Sequence, residues 1–238
     1  MSDYKINLLN MLIEKKALRI SKDKNDLFRF KSGRLSPNFV NAGALTDGEA
    51  LGMLRKSFGQ LIYTLLKEKK IEDFDYIFGP AYKGISLASL ACDGLYDQYS
   101  INKRFLYDRK EEKAYGDVKS DKLIVGAGDF KPGQKILIID DVITTGGTKL
   151  EAMDKLKVLG EHSIVGLVLL CDRQEKMGDA INVSSLSAVD YIEKKFGIRV
   201  YPILTMQEIF FLIKDRISPQ IRELWVDYYD KYGAVRMQ

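Results

Sequence analysis

Histidine is nearly missing from this chain: His162 is the sole example in 238 residues. Cysteine is almost as scarce, with Cys92 and Cys171 far apart and no CxxC pair. A zinc site is therefore not expected. Both cysteines sit in apolar segments and read as buried thiols of a reducing compartment, so a cytoplasmic location is expected. No run of about 18 apolar residues exists, so no membrane span is expected. Met1 to Lys5 lacks the apolar stretch of a secretory leader. Charge of either sign is in short excess: 37 Lys and Arg against 33 Asp and Glu leave a net +4. The positive residues are dispersed with no basic tail, so no nucleic-acid partner is expected. No internal repeat, low-complexity tract or clear interdomain linker is present. The length suits one large domain, or a core with a small subdomain.

What is present alternates. Helical spacing runs from Tyr4 to Leu18, and Asp47 caps a predicted helix to about Lys69. Helices are also predicted over Gly84 to Tyr96, Ser184 to Phe196 and Met206 to Arg216. Core strands are predicted at Tyr76 to Phe78, Arg104 to Tyr107, Ile136 to Ile139, Ile164 to Cys171 and Val200 to Leu204. Such alternation predicts an α/β fold with a doubly wound, mostly parallel sheet. The first helix and the short strands Leu27 to Phe30 and Asn38 to Asn41, around a Gly33/Pro37 turn, do not fit the alternation. They are expected to form a small N-terminal cap. The expected division is a cap over 1–45, a core over 46–216 and a helical tail over 217–238.

The most informative run is Ile136 to Thr148. Four aliphatic residues form a buried parallel strand, and Asp140 and Asp141 stand at its C-terminal end. A turn of small hydroxyl and glycine residues, Thr144 to Thr148, precedes a helical pattern. Glycines let backbone N–H groups approach a phosphate, and the helix N-terminus adds partial positive charge. The two acids would repel that phosphate and suit a sugar diol or a metal-bound ligand instead. Together they suit a phosphorylated ribose. The run is not a Walker A loop, because no Lys-Ser/Thr pair follows a glycine at the required spacing.

Four further segments carry chemistry. Gly79 to Gly84 is a second strand-loop-helix anion site with a lysine inside it. Arg109 to Lys113 leads into a charged, aperiodic stretch to Lys122 that reads as a mobile lid able to neutralise a leaving anion. Lys31 to Phe39 places lysine, serine and arginine beside a phenylalanine, a set that can recognise a flat anionic ring. Arg173 leaves a buried strand at the same sheet edge, where a guanidinium can pair with a substrate carboxylate.

In order, these segments resemble the type I phosphoribosyltransferases, and within them the orotate branch. The matching set is Phe30 to Pro37, Phe78 to Gly84, Arg109 to Lys113, Ile139 to Gly146 and Asp172 to Glu175. The resemblance implies transfer of phosphoribosyl from phosphoribosyl diphosphate (PRPP) to orotate, with Mg²⁺ as cofactor. It also implies a homodimer whose lid loop reaches the neighbouring site. It places Lys31, Tyr82, Lys83, Arg109, Lys110, Lys113 and Tyr115 on PRPP, with Asp140, Asp141, Val142, Ile143, Thr144, Thr145, Gly146, Gly147 and Thr148 around ribose and 5′-phosphate. It assigns catalysis to Lys113, Asp140 and Asp141. Phe39, Val40, Thr144 and Arg173 are implied for orotate, and Mg²⁺ is implied to bind mainly through PRPP.

The chain departs from many relatives at Tyr115, where they have histidine, and at Thr145 and Gly147. A transferase for an uncharged base is disfavoured by Arg173, which would have no carboxylate to pair. A PRPP-sensing regulator is disfavoured by the retained Lys110 and Lys113.

Overall fold

The computed structural model describes residues 2–109, 123–143 and 147–237, with the side chains of 147–150 and 152 excepted. Its core strands are β5 (Tyr76–Gly79), β6 (Arg104–Asp108), β7 (Ile124–Val125), β8 (Gln134–Ile143), β9 (His162–Asp172) and β12 (Val200–Thr205). They form one sheet in the order β12-β9-β8-β5-β6-β7. All neighbours are parallel except β7, which runs antiparallel to β6.

Strand side chains alternate between two apolar cores, as a period of two requires. Ile77, Leu137, Ile139, Val168 and Leu170 point to one. It is filled by α1 (Asp3–Glu14), α2 (Gly48–Lys67), α3 (Lys83–Tyr99), α6 (Met206–Ile213) and α7 (Pro219–Tyr232). Tyr76, Phe78, Ile136, Ile138, Leu167 and Leu169 point to the other, against α4 (Gly147–Leu156) and α5 (Ala188–Phe196). The sheet is thus doubly wound, and both faces are covered, which is why its strands read as unbroken aliphatic runs.

Several boundaries differ from the sequence expectation. β8 extends through both acids to Ile143, because β9 offers ladder partners from His162 to Asp172. Asp140 and Asp141 therefore stand inside the strand rather than after it. The helical spacing ends at Glu14, and Leu18 instead opens β1 (Leu18–Ile20). Ser184 to Leu186 are not helical but belong to β11 (Val183–Ser187), paired with β10 (Lys176–Gly178). A capping box explains the switch: Ser187 Oγ accepts from Asp190 N, and Asp190 Oδ2 accepts from Ser187 N.

The N-terminal cap consists of two ribbons. β2 (Phe28–Arg29) pairs with β3 (Leu35–Ser36), while β4 (Asn38–Val40) pairs with β1. The Asp47 carboxylate accepts from Ala50 N at 2.9 Å and starts α2. At the other end, Ser218 caps α7 and Pro219 occupies its first turn. α7 buries Trp225, Tyr228, Tyr229 and Tyr232, so the tail is part of the packed body.

Candidate active site

Chain order sets the location. From β5 the chain passes through α3 to β6 on one side, then returns across β5 to β8 on the other. The order of strands reverses between β5 and β8, and the crevice beyond their C-terminal ends is where open α/β sheets take ligands. Two segments flank it: the loop from Gly79 to Lys83 and the turn between β8 and α4. Thr144, Thr145 and Gly146 lie outside the described residues, as do Lys110, Lys113 and Tyr115. Gly147 opens α4, so the turn ends at a helix N-terminus of ten residues. Thr148 is described by its helical backbone alone.

Asp140 and Asp141 are both buried, at 6% and 9% exposure. Lys83 reaches across the crevice, its Nζ 2.9 Å from Asp141 Oδ2. The two segments predicted separately are thus joined by an ion pair. Tyr82 beside it is open to solvent. Val142 and Ile143 send their side chains into opposite cores, so they face a ligand only through their backbone.

A second tie lies beneath. Asp108 ends β6, is 4% exposed, and accepts from Ala81 N through Oδ1 and from Lys155 Nζ through Oδ2 at 2.7 Å. Lys155, in the last turn of α4, also donates to the Arg109 carbonyl at 2.7 Å. The Asp108 carboxylate so ties the Gly79–Lys83 loop to α4, and Lys155 ties α4 to the backbone at Arg109. Sequence reading missed both residues. The partners lie 27 to 47 positions apart, and no spacing pattern announces them.

The third wall is built at the end of β9. Ile143 pairs with Asp172, so Arg173 leaves the sheet level with the start of the Thr/Gly turn. The residue is 7% exposed, and its guanidinium lies over the Phe30 ring at 3.8 Å and is paired with Glu175. Burial opposes the charge, but Glu175, Tyr229 and Tyr228 outweigh it and raise the Arg173 pKa. Burial also pushes the Asp172 carboxyl up. Phe28, Phe30 and Phe39 form an aromatic group in the cap, with centroids 5.8 and 6.1 Å from Phe39. Phe39 and Val40 are half-buried, and Lys31 is exposed.

Arg34 departs from the sequence reading. It does not present itself for a ligand. Its guanidinium is 3% exposed, donates to the carbonyls of Lys176, Met177 and Asp179, and lies 4.6 Å from the Tyr232 ring. It holds the cap to the β10–β11 ribbon and the tail.

A recess of about 540 Å³ opens at the opposite, N-terminal edge of the strands. Its cations Lys103, Arg104 and Lys131 are matched by the carboxylates of Asp73, Asp75 and Asp129 in the same lining, and Lys103 and Arg104 are paired with Asp73 and Asp129.

The model of the phosphoribosyl transferase domain matches residues 52–200. The orotate phosphoribosyltransferase of Kluyveromyces lactis is 37% identical over 98% of this chain and 97% of its own length. That of Bifidobacterium adolescentis is 35% identical over 94% and 95%. Among solved structures, the orotate phosphoribosyltransferase of Francisella tularensis is 32% identical, with a TM-score of 0.78 over 95% of this chain and 99% of that one.

Proposed function

The chain belongs to the orotate phosphoribosyltransferase family, and from that membership we propose how its residues divide the work. The reaction moves phosphoribosyl from PRPP to orotate, yielding orotidine 5′-monophosphate and diphosphate in pyrimidine biosynthesis. The observation that carries the assignment of roles is the Lys83–Asp141 pair at the switch point, with Arg173 one strand away. One cation and one anion meet where PRPP brings a diphosphate and a diol.

PRPP exchanges the partners of that pair. Lys83 turns to the diphosphate, and Asp141 is released to the ribose hydroxyls beside Asp140. The N–H groups of 144–148, with the N-terminus of α4, hold the 5′-phosphate. Arg173 takes the orotate carboxylate, Thr144 contacts the base, and Phe39 and Val40 frame the ring. The C1–O bond to diphosphate breaks ahead of attack, its electron pair leaving with diphosphate, and positive charge develops on the ribose, as in other glycosyl transfers. Orotate N1 then bonds to ribose C1 and gives up its proton to the departing diphosphate. Asp140 and Asp141 favour that charge, while Lys83, Arg109, Lys110 and Lys113 neutralise the leaving group. Lys31 and Tyr82 add contacts to PRPP, with Tyr115 on the lid.

The donor set fits Mg²⁺. Asp140 and Asp141 offer carboxylates near the C-terminal end of β8, and Mg²⁺ asks for few carboxylates when phosphates and waters complete its shell. Asp140 and Asp141 would face it through PRPP. When bound, it spreads the negative charge of the diphosphate.

In this reading residues 1–45 roof the base, 46–216 hold PRPP, and 217–238 back the base site. The protein is proposed to be a cytoplasmic homodimer whose lid serves the neighbouring site. No helix among the described residues is long and apolar enough to cross a membrane. The test is turnover of orotate, uracil and hypoxanthine with PRPP and Mg²⁺, followed by absorbance. Consumption of orotate alone supports the assignment. PRPP binding without turnover of any base overturns it.

A further inference from the structure

We infer that Glu175 and the C-terminal helix α7 are positioning elements of the base site, setting the Arg173 fork that receives the orotate carboxylate. The inference rests on the role proposed for Arg173. It concerns residues that do not touch substrate themselves, and α7 lies beyond the matched domain, which ends at residue 200.

Three observations carry it. Glu175 is shared between two buried guanidiniums, those of Arg173 and Arg34, the latter at 3.5 Å. One carboxylate cannot fill the donors of two guanidiniums. Arg34 spends its remaining donors on backbone carbonyls. Arg173 does not: its Nε is buried with no hydrogen-bond partner among the described residues. The Arg173 guanidinium thus keeps donor capacity that Glu175 does not use, which a second carboxylate can take. The Phe30 ring packs against the guanidinium, its centroid 3.8 Å from Cζ.

The backbone bearing this fork is also clamped. Gln174, between Arg173 and Glu175, has φ +53°, a left-handed conformation that a glutamine rarely adopts. The tail holds it there from several sides. Tyr229 Oη donates to the Arg173 carbonyl at 2.8 Å. Ala234 N donates to the Gln174 carbonyl at 2.8 Å, and Glu175 bridges Gly233. From α6, Gln207 N donates to the Gln174 side chain at 2.9 Å. The turn sends Arg173 to the site and Glu175 back beneath it. Without the tail, nothing else described here bonds the Arg173 and Gln174 carbonyls.

The test is steady-state kinetics with KM measured separately for each substrate. The proteins are wild type, Glu175→Gln, Tyr229→Phe, Arg173→Ala and the double variant Arg173→Ala/Glu175→Gln. Glu175→Gln is expected to raise KM for orotate about tenfold, the scale of one charge-assisted hydrogen bond, with KM for PRPP within twofold of wild type. Tyr229→Phe is expected to raise KM for orotate about threefold with the same asymmetry. In the Arg173→Ala background, Glu175→Gln should add nothing further to KM for orotate. An unchanged KM for orotate in Glu175→Gln, or equal rises for both substrates, overturns the inference. If Glu175→Gln does not fold, Tyr229→Phe decides by the same split. If Arg173→Ala itself leaves KM for orotate unchanged, the underlying assignment of Arg173 falls. If Arg173→Ala raises it and the other two variants do not, only the positioning inference falls.

Discussion

Replacing Lys83 with methionine separates structural from catalytic uses of one side chain. Its Nζ lies 2.9 Å from Asp141 Oδ2. At that separation Coulomb's law gives about 1.4 kcal/mol at a dielectric of ~80 and about 6 kcal/mol at ~20. The lysine side chain is 52% exposed and the aspartate 12%, so water screens the pair heavily on one side. The net contribution to stability should then be about 1 kcal/mol or less. For a chain of this size that corresponds to a fall in Tm of roughly 4 °C at most. The catalytic loss should be much larger, because a cation aimed at the leaving diphosphate is worth about 2.7–4 kcal/mol, or ~10²- to 10³-fold in kcat. The assay is orotate consumption at saturating PRPP, beside a thermal melt of the same preparation. A small shift in Tm with a large loss of kcat supports the exchange of partners. A near-normal kcat with a fall in Tm of 10 °C or so would show that Lys83 serves only to tie Asp141 in place, and the reasoning would fail.

Asp108→Asn should cost about 1–3 kcal/mol in urea unfolding, because it removes a buried acceptor from Lys155, whose side chain is 26% exposed and keeps the Arg109 carbonyl; a loss under about 0.5 kcal/mol would remove Asp108 as the tie beneath the site. Gly79→Ala should destabilise by about 1–3 kcal/mol and impair PRPP binding, since a Cβ there would lie 2.2 Å from the Gly84 carbonyl oxygen and 2.7 Å from Ala88 Cβ. Normal stability and PRPP affinity in that variant would mean the loop yields freely. Lys15, and then the Ala50 N–H, hold the Asp47 carboxyl below the ordinary range. A depressed carboxylate stabilises the fold above its unfolded pKa and loses that contribution as pH falls through its folded one. Wild type should therefore exceed Asp47→Asn in urea midpoint at neutral pH, and the gap should narrow as pH falls below about 4, where the unfolded carboxylate titrates; a gap that stays constant through the acid range would contradict this.

The local order of strand, acid pair, Thr/Gly turn and helix was legible in the residues because each piece is short-range. Aliphatic runs, glycines and caps act on their neighbours, and alternation along the chain implies a doubly wound sheet. The ends of elements were less legible. β8 runs to Ile143 because β9 supplies partners for the acids, and Ser184 is a strand residue because β10 is beside it. In both cases pairing across the sheet overrides local pattern. The site divides in the same way. Sequence order put acids, lysine loop and Arg173 on one sheet edge. The contacts among them arise from tertiary packing: Lys83 with Asp141, Asp108 with Lys155, and Glu175 between two arginines. Arg34 shows the distinction most sharply, since its residue type and neighbours suit ligand binding, yet its surroundings supply three backbone carbonyls and an aromatic ring. A side chain's chemistry is written in its own residue, but its partner is chosen by whichever group folding brings within about 3 Å, and for Arg34 those groups lie more than a hundred positions away along the chain.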